Sequence, residues 1–179
     1  MFKRNALAAI LLPMLGSAAC SESATEPPSE IELMRQATEA YQTADAALAD
    51  GFVPLSECVE SPGGGMGFHY GQPARMQDAV IDPSLPEILL FEPTTAGGTR
   101  LVGVEFLVHE GAWHGAGNAS APTVAGQSFD PPNPNHPDAN LREMYTLHAW
   151  VWQDNPSGMF AAFNPTVSCG SGGGAHAGH

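Results

Sequence analysis

Two apolar segments of the chain each carry one side chain near the centre that is able to bind a metal. Residues 101–108 and 145–152 are rich in β-branched, aromatic and aliphatic residues, which predicts a strand in each. Side chains of a strand alternate between the two faces of its sheet. The first predicted strand has the faces Val102, Val104, Phe106, Val108 and Leu101, Gly103, Glu105, Leu107. The second has the faces Tyr145, Leu147, Ala149, Val151 and Thr146, His148, Trp150, Trp152.

A third side chain of this kind is His69, which lies in the predicted strand 67–70. It shares its face with Gly67, a residue that leaves space beside it. On neighbouring strands, His69, Glu105 and His148 would point into one site. Two imidazoles and a carboxylate can hold zinc, copper or iron and leave positions for water or substrate. The strand pattern therefore predicts a metal site formed by these three residues.

Other interpretations of the three side chains stay open. Met66 and Met144 are soft ligands that would favour copper over zinc. Without a metal, the three could act as acid and base in a small-molecule pocket. Alternatively, the histidines are hydrogen-bonded core residues, and Glu105 faces solvent or pairs with Arg100 or Arg142. None of the short metal motifs, such as HExxH or CxxC, occurs in the sequence.

One helix is predicted before these strands. Ser29 and Glu32 form a capping box at its start, apolar residues recur at helical spacing from Leu33 to Leu48, and Gly51 marks its end. Small alanines dominate its apolar face, which predicts close packing against a sheet.

The rest of the chain predicts a mainly antiparallel sheet of about five or six strands. The fold class is thus α+β, with one N-terminal helix on the sheet, and both a half-barrel and a barrel are compatible with it. Residues 110–139 predict a packed or lid-like loop, from which a histidine such as His136 could close over a pocket. The predicted strands are 67–70, 88–92, 100–108, 145–152 and 159–163, with a further one near 123–125.

The N-terminus predicts export. Residues 1–19 combine a basic start, a short apolar run and small residues before Cys20, as in a secretory signal peptide. The box 15–20 resembles that of a lipoprotein, with Cys20 as the lipid-bearing first residue. Ser17 stands where leucine is commonest, which keeps ordinary cleavage open. We expect a lipoprotein anchored in the cell envelope, or a periplasmic or secreted protein if Cys20 carries no lipid.

Cysteine usage agrees with a lipid anchor. The chain has three cysteines, and an unpaired thiol is unfavourable in an oxidising compartment. If Cys20 carries lipid, Cys58 and Cys169 remain to form a disulfide. This divides the chain into a signal peptide (1–19), a tether (20–28), one domain (29–169) and a disordered Gly/His tail (170–179).

The charge of the processed chain excludes one class of partner. Residues 20–179 contain four arginines against 19 acidic residues, and therefore have a formal net charge of −15. Such a surface repels phosphate backbones, which excludes nucleic acid as a partner. It attracts cations.

Six segments resemble a family of uncharacterised exported bacterial proteins for which no activity is established. The resemblance covers most of residues 40–169 and implies an exported single domain, without assigning any catalytic residue. The segments are 47–51, 66–70, 86–93, 101–106, 147–150 and 155–161.

Three functions are compatible with the sequence. The first is binding of a metal ion or small ligand by His69, Glu105 and His148. The second is a metal-free enzyme that uses the same pocket. The third is a cell-envelope interaction protein, which requires an exposed apolar patch around the tryptophans Trp113, Trp150 and Trp152.

Overall fold

The computed structural model describes residues 27–170 and has the predicted α+β fold. The signal peptide, Cys20, most of the tether and residues 171–179 of the tail lie outside the described residues. The helices are α1 (Glu30–Thr38), α2 (Ala44–Ala49) and α3 (Glu110–Gly115). The strands are β1 (Val53–Pro54), β2 (Val59–Ser61), β3 (Gly64–Gly71), β4 (Ile88–Pro93), β5 (Thr99–His109), β6 (Thr123–Val124), β7 (Gln127–Ser128) and β8 (Met144–Ala149).

Six of the strands form one sheet. Its order is β1-β3-β4-β5-β8, β2 pairs with β3, and every pairing is antiparallel. Because β1 and β8 end the order without pairing to each other, the sheet is open within the described part of the chain. The prediction of about five or six antiparallel strands is confirmed. Strands β6 and β7 form a separate hairpin inside the segment predicted as a long loop, and α3 precedes them there.

The single predicted helix is wrong, because the structure divides it into α1 and α2. Ser29 caps α1 as predicted, and its side chain accepts a hydrogen bond from the Glu32 amide at 3.3 Å. The interruption comes from a second cap, since the hydroxyl of Thr43 accepts from the Ala46 amide at 3.4 Å. A threonine that bonds the backbone in this way favours a helix start over a helix interior.

Strand β5 also fixes the break between the two helices. The Gln42 carbonyl accepts from the Leu101 amide at 3.1 Å, and the Ala44 amide donates to the Thr99 hydroxyl at 2.8 Å. These bonds join the backbone between α1 and α2 to the first three residues of β5. A continuous helix would use the same groups internally.

A bulge in β5 changes the predicted faces. The register between β4 and β5 shifts between Leu90 and Phe91, which leaves Val102 as an extra residue. Leu101 therefore belongs to the core on the helix side of the sheet, and Val102 belongs to the smaller core on the opposite side. Trp152 was also assigned to the wrong face, because β8 ends at Ala149 and the ring packs on the helix side.

Two cores therefore lie on the two faces of the sheet. The larger one packs α1 and α2 against the sheet through buried residues such as Met34, Ala47 and Phe106. The smaller one contains Ile88, Leu90, Val102, Leu107, Trp150 and Val167. Burial of each large apolar side chain stabilises the fold by about 1.5–3 kcal/mol. The second face is thus covered by loops, and it is the face that carries the candidate site.

The predicted strand 159–163 is wrong. Residues 159–160 form a turn and residues 161–163 are irregular, and Gly158 has φ +117°, a backbone conformation that glycine favours. The segment still bonds to the end of β8, because the Trp150 amide donates to the Met159 carbonyl at 2.9 Å and its indole donates to the Ala161 carbonyl at 2.6 Å. These bonds place residues 159–163 over the second face.

The predicted disulfide between Cys58 and Cys169 is present. The two sulfurs are bonded, and their Cα atoms are 5.6 Å apart across a sequence separation of 111 residues. The Cys169 amide also donates to the Glu60 carboxylate at 3.0 Å. The bridge therefore joins the start of β2 to the C-terminal segment that covers the second face.

Candidate metal centre

Three strands bring the predicted residues to the same face of the sheet. His69 lies on β3, Glu105 on β5 and His148 on β8. Glu105 and His148 are direct partners in the β5–β8 register. His69 reaches them across β4, where it is paired with Leu90. This face is opposite α1 and α2.

The distances between the three side chains suit a metal site. The Glu105 Oε2 atom is 3.6 Å from His69 Nε2 and 3.9 Å from His148 Nε2. One ligand atom from each of the three lies within 4.8 Å of the others. Ligands at about 2.0–2.1 Å around a tetrahedral ion are separated by about 3.3 Å. Small side-chain rotations would therefore close the set around one ion.

The contacts of the two imidazole rings orient them. His69 Nδ1 lies 3.0 Å from the Ser56 hydroxyl, and the His69 amide donates to the same oxygen at 3.4 Å. Such a bond fixes a metal-binding imidazole, because it occupies one nitrogen and turns the other to the ion. His148 stacks on Trp150 with a centroid distance of 6.4 Å and an interplanar angle of 18°. The two imidazoles themselves are perpendicular, 6.2 Å apart.

The predicted role of Gly67 as a spacer beside His69 is wrong. Gly67 has φ +87°, and a Cβ at this position would lie 2.2 Å from the Phe91 carbonyl oxygen. Glycine is therefore required by the close approach of β4.

Burial strongly perturbs Glu105. Its side chain is only 5% exposed, and this burial raises the pKa of the carboxyl to about 8. The alternative pairing with Arg100 or Arg142 is wrong, and so is exposure to solvent. Arg100 pairs with Glu92, and Arg142 Nε donates to the His136 carbonyl at 2.8 Å. A cation bound between the imidazoles would balance the ionised carboxylate.

A cavity of about 580 Å³ adjoins the three side chains. Its walls are mainly apolar, with Val59, Leu107 and Phe163 among the lining residues. Three methionines also line it, Met66, Met76 and Met144. Residues 130–141 contribute the remaining, more polar part of the wall. The predicted lid-like loop thus does cover a pocket at its C-terminal end.

Sequence reasoning missed Ser56 and Met76, which line this cavity, but it did single out His136. The strand pattern carries no signal for Ser56, because the residue precedes β2 in an irregular segment. Met76 belongs to a short 3-10 turn that was not predicted. His136 does line the cavity, and its Nδ1 accepts from the Asp138 amide at 3.2 Å. Its place in the Pro-Asn-His-Pro sequence was the only available signal.

The tryptophans do not form the exposed patch that an interaction protein would require. Trp150 is buried, and Trp113 and Trp152 are half-buried against the larger core. The Trp113 indole donates to the Ser120 carbonyl at 2.7 Å, and that of Trp152 donates to the Thr38 hydroxyl at 2.9 Å. All three indoles are therefore part of the fold.

The fold and site define a class: an α+β domain with a two-histidine, one-carboxylate cluster beside an apolar cavity. We found no match to this chain among protein-family models, curated proteins or solved structures. The resemblance to exported bacterial proteins therefore stays a prediction. No helix within residues 27–170 is long and apolar enough to cross a membrane. Any function must be argued from the site itself.

Proposed function

We propose that this chain is an exported, lipid-anchored protein that binds one transition-metal ion, zinc or copper, through His69, Glu105 and His148. One observation carries the proposal. Three metal-competent side chains from three separate strands converge within 4.8 Å at the wall of a cavity. A carboxylate is costly to bury without a compensating charge, and a metal ion supplies that charge.

The ligand set favours a site with an open position. Two histidines and one glutamate leave a fourth position of a tetrahedral zinc ion for water or a ligand, as in catalytic zinc sites. The three methionines of the cavity favour copper instead. Either ion would present its open position to the cavity.

Metal analysis of the full chain tests this function. We expect about one equivalent of zinc or copper per chain, lost in His69→Ala, His148→Ala and Glu105→Gln. The control is His109→Ala, since His109 is exposed and bonds to Glu143 at 3.0 Å outside the cavity. Protein that contains no metal and also takes up no added zinc or copper would refute the proposal.

A second candidate is acid–base catalysis without a metal, and the perturbed carboxyl favours it. A glutamic acid with a pKa of about 8 beside two imidazoles is close to the range that general acids and bases need. Turnover of a small ester or lactone that survives EDTA and disappears in Glu105→Gln would support this function. Loss of the same turnover on chelation would assign it to the metal.

Export with a lipid at Cys20 is proposed from the sequence. The disulfide between Cys58 and Cys169 supports it, because such bonds form in oxidising compartments and the pairing leaves Cys20 as the odd cysteine. Labelled palmitate should enter the wild-type protein in a bacterial host and should be absent from Cys20→Ser. A free Cys20 thiol in the processed protein would exclude the anchor.

A further inference from the structure

The cavity beside the cluster has room for an organic ligand. Its volume of about 580 Å³ lies in the range of small-molecule sites. The apolar side chains of Val59, Leu107 and Phe163 would contact the body of such a ligand. A ligand with an apolar body therefore suits the greater part of the wall.

No basic side chain other than histidine lines the cavity. None of the four arginines of residues 27–170 lines the cavity. Their partners are the Val151 carbonyl for Arg35, the Pro86 carbonyl for Arg75, Glu92 for Arg100 and the His136 carbonyl for Arg142. Besides the histidines and Glu105, the ionisable lining residues are Asp130 and Asp138, which are acidic and exposed. Apart from a protonated histidine, a bound metal would therefore be the only positive charge available to an anion in this cavity.

A metal reverses the sign of the charge at one point of this wall. A divalent ion on the Glu105 carboxylate and two neutral imidazoles leaves one net positive charge at the open position. That charge matches a single carboxylate. A second anionic group on the ligand would share the cavity with Asp130 and Asp138, whose like charges repel it.

We propose that the metal-loaded cavity binds an apolar monocarboxylate, whose carboxylate occupies the open metal position and whose apolar part fills the cavity. This inference rests on the proposed metal binding. It adds the ligand class and makes ligand binding depend on the metal.

Three eight-carbon probes separate the contribution of the apolar chain from that of one carboxylate and that of a second carboxylate. They are octan-1-ol, octanoate and octanedioate. Isothermal titration calorimetry measures the binding of each probe to the full chain in detergent, once loaded with zinc and once treated with EDTA. The heat of probe partition into empty micelles is measured separately and subtracted. We expect octanoate to bind the zinc form at least about tenfold more tightly than the EDTA-treated form, and at least about tenfold more tightly than the other two probes. Equal octanoate binding without zinc, or equal binding of octan-1-ol, overturns the proposal.

The same samples distinguish the two possible failures. Zinc uptake without octanoate binding overturns the ligand class and leaves the metal function intact. Failure to take up either zinc or copper overturns the metal function, and this inference with it.

A cavity-filling variant locates the ligand. Ala162 is half-buried and lines the cavity outside the sheet and the cluster, so Ala162→Trp should retain zinc and lose octanoate binding. Ala119→Trp, at an exposed position outside the cavity, should retain both. Octanoate binding that survives in a zinc-loaded, folded Ala162→Trp protein would place the ligand elsewhere and overturn the proposal.

Discussion

At the residue level, Ser56 controls the direction of one proposed ligand. A metal on His69 Nε2 leaves the proton on Nδ1, which then donates to the Ser56 hydroxyl 3.0 Å away. The same oxygen accepts from the His69 amide. Ring and backbone of His69 are thus held by one hydroxyl outside the predicted ligand set.

Ser56→Ala should lower the metal affinity about 10–100-fold, as loss of such an orienting bond does in other metal sites. The stoichiometry should stay at one ion, because all three ligands remain. Competition with a chromophoric chelator measures the change. Ser157→Ala, at an exposed position away from the cavity, is the control and should bind as the wild type does; an unchanged affinity in Ser56→Ala would contradict the orienting role.

The sequence predicted the three cluster residues because alternation along a strand is a local property. His69, Glu105 and His148 each lie inside a strand at a predicted place in the chain, although β8 ends at Ala149, one residue after His148. The hydroxyl of Ser56 depends instead on how an irregular segment packs against β3. Contacts of this kind have no period in the sequence, and so they could not be predicted.

At the level of elements, Glu87, the residue directly before β4, carries a second buried carboxyl. Glu87 is only 1% exposed, and its carboxyl accepts from the Leu107 amide at 3.3 Å. Burial raises its pKa to about 8 from an ordinary value of 4.5. The group therefore joins β4 to β5 in its protonated form at neutral pH.

The raised pKa predicts that stability falls as pH rises. The folded chain holds the Glu87 proton more tightly than the unfolded chain does, so its contribution is complete below about pH 4.5 and is lost as pH rises through about 8. In this window the free energy of unfolding should fall by up to about 1.4 kcal/mol per pH unit for each such group. Glu105 adds a second contribution of the same sign in metal-free protein.

Urea unfolding of EDTA-treated protein at several pH values between about 5 and 8 measures this slope. Glu87→Gln should reduce it, because an amide does not titrate, whereas Glu39→Gln, at an exposed position, should not. Stability that rises over this window would show that other groups dominate. A slope in Glu87→Gln equal to that of the wild type would show that Glu87 ionises normally.

Element boundaries were predicted less well than element types, and the causes are tertiary. The alanine-rich periodicity across residues 33–48 is continuous, but hydrogen bonds from β5 to Gln42 and Ala44 interrupt the helix. The bulge at Val102 likewise depends on the register with β4. Both features are set by a partner strand distant in sequence, which a local pattern does not contain.

For the whole molecule, the disulfide closes almost the entire β region. Cys58 and Cys169 are separated by 111 residues, and a loop of this length corresponds to about 4–5 kcal/mol in the chain-entropy model. The bridge also holds together two cavity walls, since Val59 follows one cysteine and Phe163 lies shortly before the other.

Replacing both cysteines by alanine should lower the free energy of unfolding by about 4 kcal/mol, measured in urea at fixed pH. Zinc binding should survive, because the cluster lies on β3, β5 and β8, and their pairing involves neither cysteine. Reductant should destabilise the wild type and leave the double variant unchanged. Equal stability of the two proteins would mean that the bridge adds nothing to the fold.

The overall charge has opposite consequences for the two proposed ligands. Residues 20–179 have a formal net charge of −15, so their field attracts a metal cation and repels a carboxylate. Between about 0.01 M and 1 M salt the Debye length falls from about 30 Å to about 3 Å. Added salt should therefore slow metal association and speed octanoate association with the zinc-loaded protein.

Stopped-flow fluorescence can follow both steps, because Trp150 stacks on His148 and reports events at the cluster. Octan-1-ol has no charge and serves to correct for the effect of salt on apolar solutes. If salt slows metal association and speeds octanoate association, both ligands approach the protein through the same negative electrostatic field. If octanoate association also slowed with salt, the ligand would be approaching a locally positive surface, which would contradict this prediction.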